Sequence, residues 1–252
     1  MDYKVGYYMS IGRRNNQEDC IFIDGKILQQ DEFKKTHMKK LRGSKHLLAV
    51  CDGMGGHSRG EVASRFVCER LKDYLRYFRS SGEVPQPLFR DIQDRIEKEV
   101  AGNSGTTVAC VALNDGNSVI MNAGDSRIYK IAKGAIAYIS HDHSYVQSIL
   151  DRGYLSEDEA YDHPHKNVIE FGLGGIFKDI WSGNERQVYV TKDVLKNDEY
   201  YLICSDGVND VLRDDEIYDL LHAGPFDNVE GFTKCLKERM KDNFSFILAG
   251  KT

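Results

Sequence analysis

Acidic residues stand at the ends of apolar, β-rich stretches in several parts of this 252-residue sequence. Some stretches run directly into an acid and others follow one, and the acids concerned are Glu18, Asp19, Asp52, Asp125, Asp206 and Asp242. In an antiparallel pair, the start of one strand lies beside the end of its neighbour, so this pattern predicts that the carboxylates share one rim. Turn capping explains any single aspartate, but turns do not require acids at the carboxyl ends of strands.

A rim of carboxylates without enough basic partners favours a cation site. Like charges at short range are costly unless positive charge neutralises them. Oxygen ligands without histidine or cysteine select Mg²⁺ or Mn²⁺, or else Ca²⁺. Two divalent ions would activate water for attack on a phosphoester, a reaction that needs charge neutralisation more than a side-chain nucleophile.

The elements that must position these acids are short strands interrupted by helices. Composition and turn signals predict strands at 20–28, 46–51, 106–113, 118–123, 128–132, 135–140, 186–190, 199–204 and 244–249. Apolar residues at helical spacing predict helices at 60–78, 88–100, 214–222 and 227–241. Segment 141–175 has little β signal, and Ser144 and Ser156 are placed to cap short helices there. The pattern predicts an α+β fold with helices over the outer faces of antiparallel sheets.

The composition is ordinary for a soluble globular protein, with 41% hydrophobic and 29% charged residues. A net charge of -5 disfavours broad nucleic-acid binding. No apolar run approaches the roughly 20 residues of a membrane span, and the start lacks the layout of a signal peptide. The six cysteines form no Cys-x-x-Cys and predict core residues in a reducing compartment, so we expect one cytoplasmic domain over 1–252.

Short motifs occur in a fixed order along almost the whole chain. They are Arg14–Asp19, Asp52–His57, Gly105–Thr107, Asn122–Arg127, His141–Ser144, Cys204–Gly207 and Asp242–Asn243. Each string is weak alone, but in this order and strand context the sequence resembles the protein phosphatase 2C family, the metal-dependent protein serine/threonine phosphatases, in its short bacterial form. The resemblance implies an antiparallel β-sandwich flanked by helix pairs in α-β-β-α layers, with a metal cleft at one end and a helical flap at about 141–175.

The resemblance also implies roles for individual residues. The implied metal ligands are Glu18, Asp19, Asp52, Gly53, Asp125, Asp206 and Asp242. Asp52 would bridge two tightly bound Mg²⁺ or Mn²⁺ ions, and Asp125 would hold a third, weaker ion with Asp210 near it. Arg14 would bind the substrate phosphate, for which the planar guanidinium is suited. Met54 stands where many eukaryotic relatives have a histidine proposed as the general acid, and His57 is a further candidate.

The implied function is removal of phosphate from phosphoserine and phosphothreonine in proteins by metal-activated water. The implied partners are phosphorylated substrates of a serine/threonine kinase, with no nucleic acid or membrane, and we expect a monomer. A catalytically dead relative that binds phosphoproteins is the alternative, and a nucleotide hydrolase is a third hypothesis that no glycine-rich phosphate loop supports. Residues 34–45 carry six basic residues and no acid, which indicates a solvated loop or a docking site for an acidic partner.

Overall fold

The computed structural model describes residues 1–55, 59–85, 87–100, 102–183 and 187–252. Its strands are β1 (Tyr3–Ser10), β2 (Asp19–Ile23), β3 (Lys26–Leu28), β4 (His37–Leu41), β5 (Lys45–Met54), β6 (Gly105–Thr106), β7 (Val108–Asn114), β8 (Asn117–Ala123), β9 (Arg127–Ala132), β10 (Ala135–Tyr138), β11 (Leu173–Gly174), β12 (Tyr189–Val194), β13 (Tyr200–Cys204) and β14 (Phe244–Lys251). Its helices are α1 (Gly60–Ser81), α2 (Leu88–Glu99), α3 (Tyr145–Leu150), α4 (Glu157–Tyr161), α5 (Lys178–Gly183), α6 (Asp206–Asn209), α7 (Asp214–Leu221) and α8 (Pro225–Arg239), and a 3₁₀ turn at Gly175–Phe177 leads into α5.

The strands form two antiparallel sheets. One has the order β10-β9-β13-β14-β1-β4. The other has the order β11-β6-β5-β7-β8-β12, with β2 paired to β5 and β3 paired to β2. Consecutive side chains of a strand point to opposite faces, and β2 divides its residues in this way. Ile21 and Ile23 join the core between the sheets, whereas Cys20 and Phe22 pack with the residues of α1.

Helices cover both outer faces of the sandwich. On one side, Phe66, Val67 and Leu71 of α1 pack with the second sheet, together with the apolar side of α2. On the other side α7 and α8 cover the first sheet, where the rings of Phe232 and Phe246 lie 5.2 Å apart. The predicted α+β sandwich with helices outside it is therefore confirmed.

Two strands differ from the sequence prediction. β1 is buried along most of its length in the first sheet and was not predicted. The interior Gly6 weakens its β signal, and burial on both faces removes the alternation that marks a strand. The stretch 20–28, predicted as one strand, is the hairpin β2–β3, which turns at Asp24 and Gly25, both with positive φ.

The basic segment 34–45 also differs from its prediction as a loop. Within it β4 pairs antiparallel with β1 at the edge of the first sheet. Buried Leu41 fixes the strand, and lysines on an edge strand discourage pairing with another chain. The strand expected at 186–190 is β12, which begins at Tyr189, and residues 184–186 lie outside the described part of the chain.

Segment 141–175 contains α3 and α4, as the capping pattern predicts. Ser144 accepts a hydrogen bond from the Gln147 amide at 3.2 Å, and Ser156 forms a capping box with Glu159. The six cysteines are free, and all but Cys235 are buried, which confirms their role as core residues. Among the described residues, no helix has the length and apolar character of a membrane span.

Candidate functional site

The strand register brings the acids of the sequence pattern to one end of the sandwich. Asp19 at the start of β2 lies directly opposite Asp52 near the end of β5. Asp206 follows β13 and Asp242 precedes β14, and these two strands pair antiparallel. Asp52, Asp206 and Asp242 line one cleft of about 500 Å³, together with Glu18.

Arg14 reaches this cleft through a tight turn that follows β1. The Arg14 amide donates to the Ile11 carbonyl at 3.2 Å, so the segment is a turn. Because Ser10 pairs with Phe244, the end of β1 lies beside the start of β14, and Arg14 forms an ion pair with Asp242. The Arg14 side chain remains 58% exposed, which leaves it accessible to a ligand.

Glycines allow backbone segments to meet closely beneath the cleft. Gly12 has a φ of +63°, and a Cβ there would lie 2.0 Å from the Asp242 carbonyl oxygen. A Cβ on Gly53 would lie 2.1 Å from the Gly60 carbonyl oxygen. The end of β5 and the start of α1 therefore touch through backbone, and the Gly53 amide donates to the Glu18 carbonyl at 3.1 Å.

Asn243 ties the Arg14 turn to the acidic rim, although it is not among the predicted site residues. Its side-chain amide donates to the Ile11 and Asn16 carbonyls at 2.8 and 3.1 Å, and its oxygen accepts from the Glu18 amide at 2.8 Å. Asn243 is only 5% exposed. Asn243 therefore fixes the loop that carries Arg14 and Glu18 next to Asp242.

Buried hydroxyls hold two of the aspartates. Ser205 donates to Asp19 Oδ2 at 2.8 Å and accepts from the Ser245 amide at 3.0 Å. Thr107 Oγ1 accepts from the Asp52 amide at 3.0 Å. Both residues belong to motifs of the sequence, Ser205 to the Ser-Asp string and Thr107 to the Gly-Thr-Thr string. We infer that these motifs position Asp19 and Asp52.

Burial and crowding shift the protonation of these acids. Burial raises the pKa of Asp19 to about 7 and that of Asp206 to about 6, and neighbouring carboxylates add to both effects. Burial, followed by the charges of Asp19 and Asp206, raises the pKa of Asp52 well above its usual value. Burial likewise raises the pKa of Asp125 and of Glu18. Ionised together, these groups need positive charge from outside the chain.

We expect the metal-free protein to lose stability as the pH rises from about 5 to about 7. The pKa of Asp19 is raised in the folded state, so the folded chain binds more protons than the unfolded chain in this range, and stability falls with pH. Urea unfolding at pH 5 and pH 7 with EDTA measures this dependence. In Asp19→Asn the dependence should be shallower, and an equal or steeper fall in that variant would contradict the assignment.

The donor set fits hard divalent cations. Every candidate side-chain ligand is a carboxylate, and the buried Oδ1 atoms of Asp19 and Asp125 have no hydrogen-bond partner. In the part of the chain that the structure describes, no three acidic, histidine or cysteine side chains already enclose an ion position.

Asp125 and Asp210 lie beside the main cleft. Both line a second cavity of about 840 Å³, which also reaches Asp206 and the helices α3 and α4. Asp210 pairs with Lys166 Nζ at 3.0 Å, whereas Asp125 is 6% exposed and has a free oxygen. The structure thus separates Asp125 from the Asp19–Asp52 pair while keeping both at the same end of the molecule.

The histidines do not form a second metal site among the described residues. His141 and His143 precede α3, and His143 Nε2 hydrogen-bonds the Gln187 carbonyl at 3.0 Å, which agrees with a strand-to-helix turn. Met54 lines the main cleft. His57, the further candidate for proton transfer, lies outside the described residues, as do Gly56 and Ser58.

Comparison with known proteins agrees with this fold. The family model described as Protein phosphatase 2C matches residues 23–244. The chain is 30% identical over 184 residues to the serine/threonine protein phosphatase PstP of Mycobacterium tuberculosis, covering 69% of this chain and 34% of PstP. It is 32% identical over 184 residues to a putative protein phosphatase 2C-type of Streptococcus pyogenes, covering 69% of this chain and 72% of that protein.

Solved structures share the whole architecture. The serine/threonine phosphatase Stp1 from Staphylococcus aureus superposes with a TM-score of 0.77 at 29% identity, covering 98% of this chain and 94% of Stp1. The catalytic domain of PstP in complex with two manganese ions has the same fold, with a TM-score of 0.71 at 22% identity and 99% of each chain covered. The chain therefore belongs to the protein phosphatase 2C family, and the family resemblance of its motifs is confirmed. It corresponds to about a third of PstP.

Proposed function

We propose that this protein removes phosphate from phosphoserine and phosphothreonine in proteins, in a reaction that depends on divalent metal ions. One observation carries the proposal: Arg14 and the carboxylates Asp52, Asp206 and Asp242 line one open cleft. A phosphate monoester needs positive charge around its oxygens and an activated water. The Arg14 guanidinium supplies positive charge in the cleft. Metal ions held by the carboxylates would supply further positive charge and activate the water.

The residues have distinct roles in this proposal. Asp52 lies opposite Asp19 in the strand register and shares the cleft with Asp206, which suits a ligand shared by two ions, and the Gly53 carbonyl is a further ligand. Asp206 with Asp242, and Glu18 with Asp19, are the remaining ligands of the two tight sites. When bound, Mg²⁺ or Mn²⁺ would lower the pKa of a coordinated water to near neutrality and make it a nucleophile.

Asp125 is the ligand that we propose for a third, weaker ion. Its buried and unpartnered Oδ1 atom supports this role, since a buried carboxylate oxygen normally has a partner. Asp210 lines the same cavity but is already paired with Lys166. Recruiting Asp210 to an ion would require that pair to open, which is a physical reason for weaker binding at this site.

The catalytically dead alternative has no observation in its favour among the described residues. Such a protein needs the phosphate-binding cleft but not the ligands, whereas Arg14, Asp52, Asp206 and Asp242 all line the present cleft and Asp19 lies opposite Asp52. The apolar and hydroxyl packing that fixes Asp19 and Asp52 would also be unnecessary in a binding module. The enzyme is therefore the function that the geometry supports best.

The wider assignments belong to the same proposal. We take residues 1–252 as one catalytic domain with 141–175 as a flap, since α3 and α4 lie beside the cavity that contains Asp125. Phosphorylated substrates of a serine/threonine kinase are the expected partners, and a monomer acting without nucleic acid or membrane is the expected form. Five buried free cysteines support a reducing, cytoplasmic location.

We expect phosphothreonine and phosphoserine peptides to lose phosphate with Mn²⁺ or Mg²⁺ and to be inert in excess EDTA. The described lining of the cleft contains no serine, threonine or cysteine nucleophile, and its carboxylates require a cation. Phosphate release measured with each ion, with EDTA and after readdition of Mn²⁺ tests this. Full turnover in EDTA would overturn the metal-dependent mechanism.

A further inference from the structure

Apolar side chains share the cleft with Arg14 and the carboxylates. They form what we call the apolar wall, which consists of Met54, Ile169, Ile176 and Ile180. None of the four is fully buried, and Ile176 is 38% exposed. Single exposed apolar side chains are ordinary, but four apolar side chains that line one cleft together with Arg14 offer a surface to a ligand.

The wall stands on an element that is anchored from its other side. In the 3₁₀ turn and α5, Phe177 and Trp181 are 4% and 6% exposed, and the Trp181 indole donates to the Gly172 carbonyl at 2.7 Å. Ile176 precedes Phe177 and Ile180 precedes Trp181. Ile176 and Ile180 are therefore also four positions apart and lie on one side of the turn and helix, next to the side that carries the two aromatic residues. Burial of Phe177 and Trp181 therefore holds Ile176 and Ile180 in place without a ligand, and part of Phe177 lines the cleft beside them.

Three of the four side chains, Met54, Ile169 and Ile180, also pack against the core between the helices and the second sheet, so they have a structural role as well. A Cβ on Gly105 would lie 2.7 Å from Ile176 Cδ1, so one side of Ile176 covers that glycine. This contact leaves more than a third of the side chain facing the cleft. Ile180 has no comparable contact with a glycine among those described, yet it lines the same cavity.

We infer that the apolar wall is a subsite for an apolar side chain that flanks the phosphorylated residue of the substrate. The inference rests on the proposed function, since it places the phosphate at Arg14. An extended peptide advances roughly 3.3–3.6 Å per residue, so a neighbouring side chain stays within the same cleft of about 500 Å³. The wall gives an aliphatic neighbour a surface to bury.

The test uses three phosphothreonine peptides that differ only in the two residues on each side of the phosphothreonine. These residues are leucine, glutamine or lysine, and turnover is measured with Mn²⁺. We expect kcat/KM of the wild type to be about 5- to 20-fold higher for the leucine peptide than for the glutamine peptide. In the double variant Ile176→Gln/Ile180→Gln this ratio should fall towards one, and as a ratio it cancels losses common to both peptides.

The matched control is Val190→Gln, which replaces an aliphatic side chain of β12 that is 58% exposed and lies outside the cleft. It should keep the wild-type ratio. Melting temperatures verify folding, and Ile180→Gln alone gives the same readout if the double variant does not fold. A wild type without the preference, a double variant that keeps it, or a preference for lysine would overturn the subsite.

Hydrolysis of p-nitrophenyl phosphate with Mn²⁺ distinguishes a failure of the proposed phosphatase function from a failure of the proposed subsite. Turnover of this small ester without any discrimination among the peptides supports the proposed function and overturns the subsite. Failure of the wild type to hydrolyse both the small ester and every peptide overturns the function and, with it, the subsite.

Discussion

Asp52→Asn and Asp206→Asn should each lower kcat by about 100-fold or more while the protein remains folded. Both carboxylates line the cleft with Arg14, and Asp52 lies opposite Asp19 in the strand register. Replacing a residue that only hydrogen-bonds to a metal ligand lowers metal affinity or activity by roughly 10- to 100-fold. Loss of a direct ligand should lower activity at least as much. Phosphate release with saturating Mn²⁺ measures the effect.

The stability of these variants should move in the opposite direction to their activity. In the absence of metal, Asp52 is crowded by Asp19 and Asp206, and its raised pKa indicates that its charge is unfavourable in the folded state. A neutral amide removes that repulsion, so the melting temperature in EDTA should hold or rise. The stabilisation that Mn²⁺ gives the wild type should be reduced, because the variant binds the ion less tightly.

Asp193→Asn is the matched control for this pair. Burial alone would raise the pKa of Asp193, but hydrogen bonds from Tyr201 and Lys130 outweigh it and lower the pKa. Its negative charge is therefore favourable, so its removal should reduce the melting temperature and leave turnover unchanged. Near wild-type kcat in Asp52→Asn, or a fall in its metal-free stability as large as that of Asp193→Asn, would show that the ligand assignment is wrong.

The acidic rim could be predicted because its determinants are local. An acid at a strand end is visible in a few consecutive residues, and antiparallel pairing then places starts beside ends. Asp19 opposite Asp52 follows from the antiparallel pairing of β2 with β5, although β3 and β4 lie between these two strands in the sequence. The prediction needed no knowledge of the order of the strands across either sheet.

Contacts between distant segments could not be predicted in this way. Arg14 and Asp242 are 228 positions apart, and they meet only because β1 pairs with β14. β1 was not predicted, so neither its turn nor the bonds of Asn243 to that turn could be foreseen. The apolar wall is a similar case, because helical spacing gives two equivalent lines in α5 and only the packing of Trp181 shows which one is buried.

Arg14→Ala should lower kcat/KM by about 10- to 100-fold. An exposed ion pair contributes roughly 0–1 kcal/mol, so a purely structural Arg14 would be nearly silent. A guanidinium bound to phosphate contributes more, since a hydrogen bond to a charged group provides roughly 1.5–3 kcal/mol and 1.4 kcal/mol is about tenfold. Arg14→Lys should recover only part of the loss, because a lysine keeps the charge but not the planar fork.

Measurements of metal binding distinguish a role of Arg14 in binding phosphate from a role in the metal site. Arg14 pairs with Asp242, which we propose as a ligand, so removing the guanidinium frees that carboxylate and should leave Mn²⁺ affinity equal or slightly higher in calorimetry. Arg13 is the control, because it is exposed in the same turn and has no ion pair among the described contacts. Arg13→Ala should keep wild-type kcat/KM. If Arg13→Ala were damaging and Arg14→Ala silent, or if Arg14→Ala lost Mn²⁺ binding, the phosphate would have to be held elsewhere in the cleft.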